Sequence, residues 1–251
     1  MNPNNNRLYN DLAWAWPIIS PPEDYVEETH FLTRVIKEYS RIDVNSLLHL
    51  GCGGGHNDYT FKTFFSVTGC DTSDNMLELA RTLNPEITYV KGDMRSVRLE
   101  KSFDAVVIYD AIDYMTTPED LKRAFQTAYT HLRPGGVFLT VVEDLPERFI
   151  QNKTEFSIRS QDDIEIVFIE NKYDPDPSDT TFEYTFVYLI RRHGNLEIHT
   201  DRHICGIFTL DTWITLLEET GFDVTQQKFE HSTFAEGESY PLMVSIKPVM
   251  D

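Results

Sequence analysis

The stretch that most constrains this chain is Leu47-Leu48-His49-Leu50-Gly51-Cys52-Gly53-Gly54-Gly55, a mostly apolar run that passes directly into a glycine-rich turn. Ser46 to Leu50 reads as a short buried strand. Glycines after such a strand let the backbone bend sharply and let a ligand come close to the main chain. The turn is not a P-loop, because no Gly-Lys-Ser/Thr follows. It is also a poor dinucleotide fingerprint, since His56 stands where a third glycine would permit close helix packing.

Two acids follow at neighbouring strand tips. Asp71 closes the strand Ser66 to Cys70, where a carboxylate can accept both hydroxyls of a ribose; the plainer role is an acid favoured at a helix start. Gly92-Asp93-Met94 follows the strand Ile87 to Lys91. There Asp93 can accept the exocyclic amine of adenine while Met94 packs on the ring, although the triplet alone also suits an ordinary turn. The Gly92-Asp93-Met94 turn and His56 together disfavour a nicotinamide-dependent dehydrogenase.

Around this core the chain alternates. A helix begins near Glu23, and Ser73 caps another. Thr117-Pro118-Glu119-Asp120 opens a third, which stops at Arg133-Pro134-Gly135-Gly136. Ala105 to Tyr109 and Val137 to Val142 supply further apolar strands, so an α/β doubly wound parallel sheet is expected. From about Phe149 to Phe208 the apolar period changes to two, with hairpin turns at Asp174 to Asp179 and His193-Gly194-Asn195. This reads as an inserted antiparallel β-sheet. A last helix from Leu210 to Thr220 and two strands, Val224 to Phe229 and Leu242 to Lys247, close the chain.

Charge and cysteines narrow the partners. Against 22 Lys and Arg stand 41 Asp and Glu, for a net charge of −19. Such a surface repels phosphate backbones, so neither nucleic acid nor an anionic membrane is an expected partner. Cys52, Cys70 and Cys205 form no CxxC pair, and a metal site is not expected. The chain start shows no leader pattern, and no apolar run approaches the roughly 20 residues of a membrane span. A cytoplasmic protein in a reducing compartment is therefore the expectation.

Taken together, the glycine turn, Asp71-Thr72-Ser73-x-x-Met76-Leu-x-x-Ala80-Arg81, Gly92-Asp93-Met94, Phe103-Asp104-Ala105 and Leu132-Arg133-Pro134-Gly135-Gly136 resemble the class I S-adenosylmethionine-dependent methyltransferases. The resemblance covers roughly Leu8 to Glu143 and returns in Phe208 to Phe222 and the closing strands. It implies a seven-stranded Rossmann-like sheet with its last strand antiparallel, and S-adenosylmethionine as cofactor. Gly51 and Gly53 would then lie along the methionine moiety, Asp71 at the ribose, Asp93 and Met94 at the adenine, and Tyr109 beside the sulfonium. Cys52, Thr72 and Met76 complete the implied cofactor set. The family commonly places an acid where this chain has His49. More loosely, the insertion and its Glu197-x-His199-x-Asp201-x-His203 pattern are similar to the sugar N,N-dimethyltransferases. The implied domains are 1–148 with 206–251 as the cofactor-binding unit, including an N-terminal lid, and 149–205 as the insertion, a substrate cover or dimer contact.

The expected activity is methyl transfer to a small-molecule acceptor, at an amine nitrogen in the first instance. Oxygen or carbon transfer and a non-catalytic cofactor-binding module are the alternatives. Asp110, Asp113, Glu143 and Asp144 lie at strand ends, with Glu143 the first choice as base or amine anchor. Glu197, His199, Asp201 and His203 alternate on one strand face. It reads as a wet face, or, if turned inward, as a source of a proton acceptor in His203 or His199. Tyr9, in an aromatic N-terminal stretch, would by the resemblance belong to a lid near the sulfonium. A homodimer is possible through the inserted sheet.

Overall fold

The computed structural model describes residues 6–249; residues 1–5, on which the expectation about a leader falls, lie outside the described residues, as do 250 and 251. Helices α1 (Trp16–Ile19) and α2 (Val26–Tyr39) come first. Strands β1 (Ser46–Leu50), β2 (Ser66–Asp71), β3 (Thr88–Lys91), β4 (Phe103–Val107) and β5 (Leu132–Val141) are interleaved with α3 (His56–Phe61), α4 (Asp74–Leu83) and α5 (Pro118–His131). Four long strands follow: β6 (Lys153–Gln161), β7 (Ile164–Tyr173), β8 (Thr181–Arg192) and β9 (Asn195–Gly206). Helix α6 (Leu210–Thr220), β10 (Asp223–Phe229) and β11 (Tyr240–Ile246) end the chain.

The first sheet has the order β10-β11-β5-β4-β1-β2-β3, and only β11 runs against its neighbours. Its strands are apolar on both faces because helices cover both. Leu47, Val107 and Leu139 pack with Leu32 and Ile36 of α2 and Leu77 of α4. Leu48, Val106 and Phe138 pack with Phe125 of α5 and Trp213 of α6 on the other side. The caps follow their side-chain chemistry: Ser73 accepts from the Met76 amide and Thr117 from that of Asp120, while Gly221 closes α6 at φ 105°.

The inserted sheet is a β6-β7-β8-β9 meander. Its inner face does not rest on solvent. Ile166, Phe168, Phe186, Tyr188 and Ile190 share a core with Leu8, Leu12, Ala13 and Ala15 of the N-terminal segment. That segment is thus clamped between the inserted sheet and the start of α4, where Ser73 donates to the Tyr9 carbonyl.

Four expectations are corrected here. The fourth strand ends at Val107, so Tyr109 lies in the turn beyond it. Strand β5 starts at Leu132 and runs through Arg133-Pro134-Gly135-Gly136, because the Gly135 amide pairs with Lys247 and that of Lys247 with Gly136. Strand β6 was missed because its inward residues are polar. Finally, the alternating face of β9 is wet only at its start: Glu197 is exposed and His199 partly so, but Asp201 and His203 are buried and mutually bonded.

Asp104, the second residue of β4, stitches the lower end of the sheet. Its carboxylate accepts from the Asn45 and Ser46 amides at 3.1 and 2.9 Å, the Ser46 hydroxyl at 2.7 Å and Arg133 at 2.5 Å. Burial alone would lift its pKa, but these donors, Ser46 first, hold it below the usual carboxylate value. Replacing Asp104 with Asn is expected to destabilise the fold by about 3 kcal/mol in urea unfolding, since buried donors lose a charged partner. A depressed folded pKa contributes stability above the unfolded value and loses it as pH falls. Wild-type stability should therefore drop below about pH 4, and the Asn variant should show a smaller drop.

Candidate active site

Gly51 and Gly53 turn the chain at the top of β1 with φ of 73° and 50°, a left-handed region that favours glycine. At Gly51 a Cβ would also come within 2.2 Å of Ala111 Cβ, whereas at Gly53 it would point into open space. The Gly51 and Cys52 amides both donate to the Cys70 carbonyl, at 2.7 and 3.0 Å, which straps the loop to β2. Asp71 completes the strap. One of its oxygens accepts from the Gly53 amide and the other from the Ser73 amide, each at 2.9 Å.

This loop forms one wall of a cavity of about 460 Å³. Gly51, Cys52 and Gly53 line it, as do Asp71, Thr72 and Met76, and on the far side Asp93, Met94 and Tyr109. All nine residues expected at the cofactor thus face one space. Asp93 is already engaged by Arg95, with Nη2 at 2.6 Å from Oδ2, and Arg95 reaches on to Asp120 at 2.8 Å. Asp93 titrates below its ordinary value chiefly because of the Arg95 side chain. The backbone bend, with no Cβ to fill its opening at Gly53, fits a ligand lying against the main chain.

Of the three expected catalytic residues, only Tyr9 lines the cavity. Its hydroxyl meets that of Tyr114 at 2.8 Å, and Tyr114 meets His203 Nδ1 at 2.5 Å. His203 Nε2 lies 2.7 Å from Asp201 Oδ2, which also accepts the Leu8 amide at 2.9 Å. A hydrogen-bonded line therefore runs from the cavity into the inserted sheet, with the N-terminal segment tied to its far end. His203 is fully buried and stands two groups behind Tyr9. Glu143 is likewise off the cavity wall, one step behind Asp110.

Asp110 is ringed by protein yet its side chain stands open in the cavity. Enclosure, then the charges of Glu143, Glu28 and Asp113, push its carboxyl well above the usual range. Burial raises Glu143 too, with Lys172 opposing. Glu28 of α2 was missed from the sequence. It accepts from Asn57 at 2.7 Å and from the Tyr109 hydroxyl at 3.1 Å, and burial pushes it up to about 7. Its signal was an acid one turn before Leu32, within the buried stripe Thr29, Leu32, Val35 and Ile36. Tyr114 gave no comparable signal.

Residues 47–136 match the family model described as a methyltransferase domain. The chain is 34% identical over 129 residues to the dTDP-3-amino-3,4,6-trideoxy-alpha-D-glucopyranose N,N-dimethyltransferase of Streptomyces venezuelae, a match covering 51% of this chain and 54% of that one. It is 27% identical to the dTDP-4-amino-2,3,4,6-tetradeoxy-D-glucose N,N-dimethyltransferase of Saccharopolyspora spinosa, over 71% and 72% of the two chains. In fold it is similar to Streptomyces venezuelae DesVI, with a TM-score of 0.80, 24% identity and coverage of 95% and 96%. Residues 47–136 thus carry a methyltransferase domain, and the fold around it is similar to that of solved methyltransferases. The methyltransferase's seven-stranded sheet and antiparallel insertion are those expected from the sequence. Among the described residues, no helix is long and apolar enough to cross a membrane.

The raised carboxyls carry a stability consequence. A folded pKa lifted from about 4.5 to about 7 gives Glu28 stability that is fully present below the lower value and lost as pH rises through the upper one. Thermal unfolding at pH 5 and pH 8 is expected to show wild type weakening at the higher pH. Glu28→Gln, which keeps the shape without the charge, should recover roughly 1–3 kcal/mol of that loss.

Proposed function

We propose that this methyltransferase acts on the amino nitrogen of a small-molecule acceptor of the amino-sugar class. The observation that carries this reading is the acid wall beyond Tyr109, where Asp110 stands in the cavity backed by Glu143 and Glu28. Similarity to two amino-sugar N,N-dimethyltransferases supports the acceptor class.

When bound, S-adenosylmethionine supplies a methyl group on an already activated sulfonium. Asp71 and the loop amides would hold the ribose and the methionine arm, and Asp93 with Met94 the adenine. An amine reaches the site as an ammonium and must lose a proton to expose its lone pair. Asp110, with Glu143 behind it, takes that proton. Burial and the neighbouring acids raise the proton affinity of this carboxyl, which suits it to the task. The freed lone pair would then face the methyl group that the bound cofactor would supply. Tyr9, held by Tyr114 and His203, closes the cavity and limits water. His203 acts by positioning Tyr9 rather than by touching the acceptor.

Turnover against paired amino and hydroxy sugars tests the reading. Methyl transfer to the amine and none to its hydroxy analogue is expected. Transfer only to oxygen or carbon, or cofactor binding with no turnover on any acceptor, would reject it. Asp110→Asn should lower kcat by about 10²-fold with the cofactor affinity unchanged.

The outer face of the inserted sheet supports a homodimer. Ile158, Val167, Leu189 and Ile198 align across four strands, with Phe156, Ile169 and Val187 in the adjoining row. Phe156, Ile158 and Ile198 are 71%, 67% and 62% exposed, an apolar patch that a two-fold copy of the same face would cover. Sedimentation should give a dimer for wild type and a monomer for Ile158→Glu; a monomeric wild type at tens of micromolar would reject the contact.

A further inference from the structure

We propose that the acceptor is an amino sugar free of phosphate, as the simple sugar or a neutral glycoside, and not one carried on a nucleoside diphosphate. The inference rests on the amino-sugar reading of the site and narrows it. The two N,N-dimethyltransferases to which the chain is similar are named for sugars joined to dTDP, in which the diphosphate hangs from the same ring as the amine. An amine brought to Asp110 in that form would carry its diphosphate to within a sugar ring of the acid wall. A diphosphate enclosed there loses hydration that only cations or strong donors replace.

Among the described residues no cation is free to take that charge. Arg95 is the one arginine or lysine on the cavity wall, and it is spent on Asp93 and Asp120 at 2.6 and 2.8 Å, beside the expected adenine position. Of the two histidines there, His49 is bonded to Asp58, and burial lowers the pKa of His56 to about 4, which leaves it neutral. Behind the wall, the lysines that act on Glu143 are Lys172 and Lys153. Lys172 is held by Asp144 at 2.7 Å and lies over the Tyr184 ring at 5.0 Å, and Lys153 pairs with Glu155 at 3.3 Å. Residues 1–5 and 250–251 contain no lysine or arginine.

Acids fill the space that a diphosphate would need. Asp110 stands in the cavity with Glu143, Glu28 and Asp113 as its charged neighbours. Tyr240 lies in the fields of Glu143, of Glu238 from the β10–β11 loop and of Glu155 from β6. That loop, residues 230–239, holds three glutamates and no lysine or arginine. Enclosure first, then neighbouring acids, already hold Asp110 and Asp113 above the usual carboxyl range; an anion would lift them further, and an ammonium would bring them down. Tyr25 and Tyr109 line the same space and offer rings that take an ammonium on their faces. The wall thus attracts the amine and repels the diphosphate of one and the same molecule.

Acceptors that share one amine test it: the methyl glycoside, a glycoside with a neutral aglycone as large as thymidine, and the dTDP ester, all of 3-amino-3-deoxyglucose. With saturating S-adenosylmethionine, kcat/KM is expected to be similar for the two glycosides and about tenfold or more lower for the dTDP ester. Equal or faster transfer to the dTDP ester would overturn the inference and leave the amino-sugar reading standing. A large neutral glycoside as poor as the dTDP ester would assign the discrimination to bulk and overturn the charge argument. Transfer to the nitrogen of none of them would overturn the amino-sugar reading instead. Calorimetry of the S-adenosylhomocysteine-loaded protein with dTDP alone then decides this inference without any amine. No binding is expected at millimolar nucleotide, and micromolar binding would overturn it.

Discussion

The cofactor end of the cavity depends on the Asp71 carboxylate, which takes one hydrogen from the glycine loop and one from the start of α4. Two elements that arrive from different strands are thereby fixed to a third. The loop cannot relax away, because its Gly51 and Cys52 amides are both spent on the Cys70 carbonyl. Nor can it be rebuilt with larger residues, since Ala111 fills the space beside Gly51. What faces the cavity is consequently backbone as much as side chain. A surface of this kind is set before any ligand arrives, so little ordering cost falls on binding.

The opposite wall is assembled from segments distant in sequence. Leu8 and Leu12 pack against Phe168 and Tyr188 of the insertion. Ser73 donates to the Tyr9 carbonyl from the cofactor side, and Asp201 accepts the Leu8 amide from the insertion side. The N-terminal segment thus bridges the two units, with Tyr9 placed between them. The same arrangement explains how Asp201 and His203 tolerate burial in a sheet: each satisfies the other, and the remaining capacity is taken by Leu8 and Tyr114.

The cofactor half was legible because its determinants are local. A glycine turn, an acid at a strand tip and a capped helix each leave their mark within a few residues, and strand order then brings them together. The inserted sheet was legible only in outline. The alternating period of β7 and β8 announced a sheet, but the facing of β9 turned on a buried Asp201–His203 pair, and polarity alone pointed that face outward. Strand β6 hid for the complementary reason, carrying Phe156 and Ile158 on its exposed side. Glu28 and Asp58 pair with residues 81 and 9 positions away, Tyr109 and His49, and such pairings have no signature in a linear chain.

The net charge of −19 acquires a local meaning in the cavity. Asp110, Glu143 and Glu28 each pay for enclosure with a raised pKa, the reverse of Asp104, whose donors more than offset its burial. The lower end of the sheet is therefore strengthened as its acid ionises, and the site end is weakened. Stability is given up around Asp110, Glu143 and Glu28, on and just behind the cavity wall. A ligand that brings positive charge to that wall reverses the cost, because it favours the ionised carboxyls that burial and neighbouring acids penalise. By linkage it stabilises the folded chain to the same extent that the chain prefers it over a neutral or anionic competitor. On the proposed reading, preference for a cationic acceptor and the loss of stability at high pH are thus two expressions of one arrangement of acids.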